Sequence, residues 1–96
     1  MPNQTPYVPR PTSSKLDIST QTVIKASPGK LFTVSVTTAG TTAGTVNDSA
    51  TISGVAASNL VGSFEAVGNY PFNDWPFANG IVITPGTGQV LSVSFS

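Results

Sequence analysis

Four carboxylates, Asp17, Asp48, Glu65 and Asp74, carry most of the acid–base potential of this 96-residue sequence. It has no histidine and no cysteine. That removes the commonest general base, the imidazole and thiolate metal ligands, and the side chain that changes charge near neutral pH. A carboxylate pair that works on a glycosidic bond must converge on one cleft. These four lie on four separate segments with no motif spacing, so solvated positions are expected, with a local backbone hydrogen bond for Asp48. Asn69, Asn73 and Asp74 near Asp48 supply oxygen ligands for calcium, but the loop motif of such sites is missing. Pro85-Gly86-Thr87-Gly88-Gln89 contains a G-x-G. A phosphate cradle needs a helix N-terminus after its glycines, whereas a serine-rich β pattern follows here, so the segment reads as a turn. Serine is abundant, but a nucleophilic serine needs a base, and Lys15, Lys25 and Lys30 stand in no Ser/Lys motif. The expectation is a protein that is not an enzyme, with no cofactor and no metal.

Aromatic residues are the other group with binding potential. Tyr70, Phe72, Trp75 and Phe77 hold half of the eight aromatics in the sequence, in a segment that reads as a loop beside Asn69, Asn73 and Asp74. The plainest role is to plug one end of a core, where burying an aromatic side chain contributes about 2–3 kcal/mol. A subunit contact and a sugar platform are the alternatives. With Tyr7, Val8 and Arg10 of the N-terminal segment, these four form the set of candidate partner contacts.

The elements that must position these residues read as strands. From Ser14 onward no segment shows helical spacing over three turns, and turn signals recur about every eight to twelve residues. Lys15–Ile18 reads as a short strand and 22–26 as a second. Ser27-Pro28-Gly29-Lys30 reads as a tight turn. In 31–38, Phe32, Val34 and Val36 share one face and alternate with Thr33, Ser35 and Thr37. The turn predicts a hairpin between 22–26 and 31–38. Residues 45–50 form a weaker strand, 51–57 are ambiguous, and 59–67 read as a strand with a possible bulge at Gly62. Ile81–Ile83, the Pro85–Gly88 turn and the alternation of Leu91, Val93 and Phe95 with serines predict a C-terminal hairpin in the middle of a sheet. The whole predicts an all-β fold: a single antiparallel β-sandwich, jelly-roll-like, with about seven to eight short strands over 14–96. Residues 1–13, with Pro2, Pro6, Pro9 and Pro11, read as an extended proline-rich arm. That arm is either a frayed terminus or a segment that orders on a neighbour through Tyr7 and Val8.

Charged residues make up 8% of the sequence and the net charge is zero, against about 25% charged residues in ordinary soluble domains. A surface so low in charge suits a protein packed against neighbours, and equally a plain low-charge β domain. Four basic residues form no phosphate-tracking patch, so nucleic acid is not an expected partner. No apolar run approaches the roughly 20 residues of a membrane span, and the N-terminus lacks the apolar core of a signal peptide. Neither a membrane nor secretion is expected.

Several stretches taken in order carry a resemblance. They are Val23-Ile24-Lys25-Ala26-Ser27-Pro28-Gly29-Lys30-Leu31, Val34-Ser35-Val36-Thr37-Thr38-Ala39-Gly40, Gly44-Thr45-Val46-Asn47-Asp48, Trp75-Pro76-Phe77-Ala78-Asn79-Gly80-Ile81-Val82, and Pro85-Gly86-Thr87-Gly88-Gln89-Val90 running into Val93-Ser94-Phe95. This order resembles small β-sandwich structural proteins of tailed bacteriophages, of the head decoration or cement type. It covers most of 20–96 and consists of turn and packing residues. The resemblance implies a virion structural protein on the capsid surface, made in the host cytoplasm, whose partner is the major capsid protein. It implies a homo-oligomer, with a trimer favoured by local threefold positions and a dimer possible. A tail-associated adaptor or receptor-binding module is the alternative.

Overall fold

The computed structural model describes residues 13–96. The arm expected over 1–13 lies outside the described residues except for Ser13, which opens the first strand. Eight strands follow in sequence order: β1 (Ser13–Ile18), β2 (Thr22–Lys25), β3 (Gly29–Thr38), β4 (Gly44–Asp48), β5 (Leu60–Phe64), β6 (Gly68–Phe77), β7 (Ile81–Thr84) and β8 (Val90–Phe95), with one 3-10 turn at Ala57–Asn59. They form two four-stranded sheets, ordered β1-β8-β3-β6 and β2-β7-β4-β5, and every pairing is antiparallel. The expected all-β sandwich is present. Only β4 and β5 are consecutive and paired; every other connection arches from one sheet to the other.

That arching corrects two expectations. β2 and β3 do not form a hairpin: β2 pairs with β7, and β3 pairs with β8 and β6. The chain bends at 26–28, and Gly29 already opens β3 without the positive φ a tight Pro-Gly turn would use, so the segment leads across the sandwich. β7 and β8 likewise are not a hairpin. Each sits in the interior of its own sheet, β7 between β2 and β4, β8 between β1 and β3. Two strands joined by a tight turn cannot both pair with each other and fill the middle of two facing layers.

The core lies between the sheets. Leu31, Val34 and Val36 of β3, Val46 of β4, Ile81 and Ile83 of β7 and Leu91 and Val93 of β8 are all buried there. Burying each such side chain contributes about 1.5–3 kcal/mol. On β3 the buried set differs from the expected alternation. Leu31 takes the inward place predicted for Phe32, because the ladder shifts register between Leu31 and Thr33 on both sides of the strand. One irregular residue reverses the parity of a two-residue repeat.

The two sheets differ on their outer sides. Asn47 and Val82 are register partners on the outer face of the β2-β7-β4-β5 sheet, yet both are buried. The segment after β4 lies over them: Asn47 Nδ2 donates to the Ala56 carbonyl at 3.0 Å and to Asn59 Oδ1 at 2.9 Å. Asn59 Nδ2 then donates to the Gly54 carbonyl at 2.8 Å, so two side chains hold the ambiguous 51–57 stretch as an ordered loop. The outer face of the β1-β8-β3-β6 sheet has no such cover among the described residues.

Candidate functional site

The carboxylates do not converge. Asp17 takes a left-handed φ of 57° in the β1 bulge, and Glu65 is an exposed residue just past β5. Asp74, on β6, meets Lys30 at 3.7 Å in a surface pair of small energetic weight. Among the described residues no group of three or more acid, histidine or cysteine side chains is placed to hold a metal.

Asp48 is the most engaged of the four. Its Oδ2 accepts from the Ala78 backbone N–H at 3.0 Å, and its Oδ1 accepts from Asn79 at 2.8 Å and Gly80 at 3.4 Å. The expected backbone bond exists, but it is not local: it spans about thirty residues and closes the β6–β7 connection around one carboxylate. Partial burial acts to raise the Asp48 pKa. The N–H groups of Asn79, Ala78 and Gly80, with the Asn79 side chain, outweigh it and hold the carboxyl below its ordinary value.

The aromatic segment expected as a loop is an edge strand, β6. Pro71 and Pro76 read as strand breakers, but an edge strand has one neighbour and tolerates a residue without an N–H. Asn73 and Asp74 adopt left-handed φ values of 54° and 69°, and opposite them the pairing jumps from Leu31↔Trp75 to Thr33↔Pro71. Asn and Asp are the non-glycine residues that reach this region at least cost.

The four aromatics divide by depth. Phe77 is buried in the core, and Tyr70 and Phe72 pack against it half-buried. The Phe72 ring lies 2.9 Å from where a Cβ on Gly62 would stand, so Gly62 is the seat for that ring in the facing sheet. Gly62 is not itself the bulge; the register shift in β5 falls beside it, at Val61. Tyr70 packs at 5.9 Å from the Phe64 ring, donates its hydroxyl to the Ala66 carbonyl at 2.9 Å and accepts from the Glu65 N–H at 3.3 Å. This is the arrangement of a tyrosine corner, in which a strand-start tyrosine closes the preceding connection. Trp75 alone of the four presents a large surface, with 48% of it exposed. Tyr7, Val8 and Arg10 lie outside the described residues.

A broader feature than any aromatic is the outer face of the β1-β8-β3-β6 sheet, over which no other described segment lies. The register rows Ser14↔Ser94, Ser94↔Thr33 and Thr33↔Pro71 cross all four strands, and Ser92↔Ser35 and Ser35↔Asn69 cross three. Ser35 Oγ donates to Asn69 Oδ1 at 2.8 Å within this array. The β1 bulge leaves Leu16 69% exposed beside it. Ser14, Leu16, Thr33, Ser35, Ser92 and Ser94 enclose a shallow depression of about 190 Å³. Its lining, which also includes Val93, holds no charged side chain and exposes almost only carbon, so it presents Leu16 and the carbon flanks of the serines and threonines. The serines and threonines of β3 and β8 were legible as alternating residues; that they align in rows follows from the pairing of β1, β8, β3 and β6, which no local signal encodes.

No family model, curated protein or solved structure matches this protein. No helix among the described residues is long and apolar enough to cross a membrane.

Proposed function

We propose that this protein is a virion structural protein: a jelly-roll decoration protein that binds across junctions of the major capsid protein and stabilises the head. The observation that carries the proposal is the Ser–Thr depression on the outer face of the β1-β8-β3-β6 sheet, which holds no charged side chain and which no other described segment covers. On the opposite sheet the segment after β4 covers Asn47 and Val82; among the described residues no such segment lies over the Ser–Thr rows. Flat rows of serine and threonine bind an uncharged protein surface without desolvating charge, and they carry no electrostatic penalty when many copies crowd a lattice. The strand pairs β1·β8, β2·β7, β3·β6 and β4·β5 support the jelly-roll reading. They are the pairs of an eight-stranded ribbon folded back at β4–β5 and wrapped into two layers, an architecture that recurs in capsid proteins. The resemblance to phage cement proteins supplies the partner, and a trimer or dimer about a symmetry axis of the shell fits it.

Co-sedimentation with expanded heads assembled from the cognate major capsid protein tests this. Wild-type protein is expected to pellet with the shells. Ser35→Lys with Ser92→Lys is expected to stay in the supernatant, because two desolvated lysines meet no counter-charge. Thr41→Lys, on an exposed loop elsewhere, is the control. Failure of the wild type to bind overturns the function, and equal binding of the face variant overturns the surface. Exposed Trp75 favours the second reading, a tail-associated adaptor or receptor-binding module. In that case Trp75→Ala particles assemble but lose adsorption to cells.

A further inference from the structure

Asn79 is exposed and is followed by glycine. In an Asn-Gly pair the glycine backbone nitrogen attacks Cγ of the asparagine. A new bond forms from that nitrogen to Cγ, the Cγ–Nδ2 bond breaks, and ammonia leaves with the proton shed by the attacking nitrogen. The product is a five-membered succinimide, which water opens to aspartate or isoaspartate. No reagent but water is consumed. Glycine favours the step because no Cβ obstructs the rotation it needs.

The fold obstructs both requirements of this chemistry. The attacking nitrogen must lose its proton, but the Gly80 N–H faces Asp48 Oδ1, and that negative charge opposes an amidate beside it. Ala78 and Asn79 direct their N–H groups at the same carboxylate, so three successive amides wrap one anion. The peptide must also rotate, but Gly80 is buried and pinned. Its carbonyl accepts from the Ser49 N–H at 3.1 Å, and the position of an absent Cβ lies 2.5 Å from the Lys25 carbonyl oxygen and 2.6 Å from that of Ser49.

We propose that Asn79 is a deamidation site held unreactive by Asp48, and that it reacts whenever the Asp48 nest opens. The product is self-reinforcing. A carboxylate at 79 stands beside Asp48 and repels it, and isoaspartate adds a main-chain methylene next to Gly80, where there is no room. A molecule that opens long enough to react therefore does not re-close as well, and each copy keeps a chemical record of its opening.

Peptide mass spectrometry after incubation at mildly alkaline pH reads the conversion at Asn79. Folded wild type is expected to convert at least about tenfold more slowly than the same protein in urea, and Asp48→Ala under native conditions about tenfold faster than folded wild type. Equal rates in buffer and urea overturn the proposal, as does a folded Asp48→Ala protein that converts at the wild-type rate. Should Asp48→Ala fail to fold, hydrogen exchange of the wild type decides. Protected Asn79 and Gly80 amides support the proposal; exchange at the unprotected rate overturns it.

Discussion

Gln89 Nε2 donates to the carbonyl oxygen of Phe64 at 3.1 Å, tying the entrance of β8 in one sheet to the end of β5 in the other. The same amide donates to the Glu65 carbonyl at 3.3 Å, and Gln89 Oε1 accepts from the Gly86 N–H at 3.0 Å. The side chain is fully buried, so the polar groups at this junction have no water to turn to. A glutamine in a Pro-Gly-Thr-Gly-Gln turn thus acts as the polar pin of the β7–β8 arch.

Gln89→Ala is expected to destabilise the protein by about 2–4 kcal/mol, since it opens a cavity and leaves buried partners unsatisfied. Gln89→Glu is expected to be worse at neutral pH, because a carboxylate there faces two carbonyl oxygens. Urea denaturation of the three proteins measures both differences. A loss below about 0.5 kcal/mol for Gln89→Ala, the scale of an ordinary surface change, defeats this account.

Asp48 makes a prediction about pH. Its pKa is lowered in the folded protein, where backbone N–H donors outweigh partial burial. A lowered folded value means stabilisation that is present above the unfolded carboxylate value of about 3.9 and is lost as pH falls through the folded value. The wild type should therefore hold its urea midpoint through neutral and weakly acid pH and lose this contribution only in the acid range below. Asp48→Ala should be weaker by about 1–2 kcal/mol at neutral pH, with its curve converging on the wild type in acid. Parallel curves across the whole range would show that the carboxylate charge does nothing for the turn.

Tyr70→Phe keeps the ring against Phe64 and removes the hydroxyl that joins Ala66 and Glu65. The expected cost is about 1 kcal/mol, the net worth of a partly exposed hydrogen-bond pair. Hydrogen exchange should show the loss concentrated in the β5–β6 connection. Loss spread evenly over both sheets would instead assign the effect to ring packing.

Most of the strands were legible from alternation or β-branched runs, and the serine-rich β8 came through nearly residue for residue. Their partners were not legible. The Pro28-Gly29 and Pro85–Gly88 turns state that the backbone reverses, and the same chemistry serves a hairpin and an arch between layers. Gly88 supplies a left-handed φ of 78° to an arch here. β6 was hidden for a related reason: Pro71, Pro76, Asn73 and Asp74 are loop residues by propensity, and only its position at the sheet edge makes them tolerable. Phe32 exchanged places with Leu31 through a register shift that leaves no mark in composition. The hydroxyl face depends on all of these pairings at once, so its rows could not be read from any single strand.

The two ends of the aromatic group on β6 separate structure from contact. Phe77 is 2% exposed and Trp75 48% exposed on the same strand. Phe77→Ala is expected to cost about 3–5 kcal/mol and to leave little folded protein, whereas Phe77→Leu keeps most of the volume and should cost less than about 1.5 kcal/mol. Trp75→Ala should cost less than Phe77→Ala, about 1–3 kcal/mol, since only about half of its surface is buried. Trp75 is the sole tryptophan, so its fluorescence reports this one position. In the free protein its emission should lie between that of the unfolded protein and that of a buried indole, since about half of its surface is exposed. A blue shift on adding capsid shells would put β6 at the interface with the neighbour. Unchanged emission with full co-sedimentation would leave the contact to the Ser–Thr face, and a strongly blue-shifted emission in the free protein would mean that Trp75 is already covered.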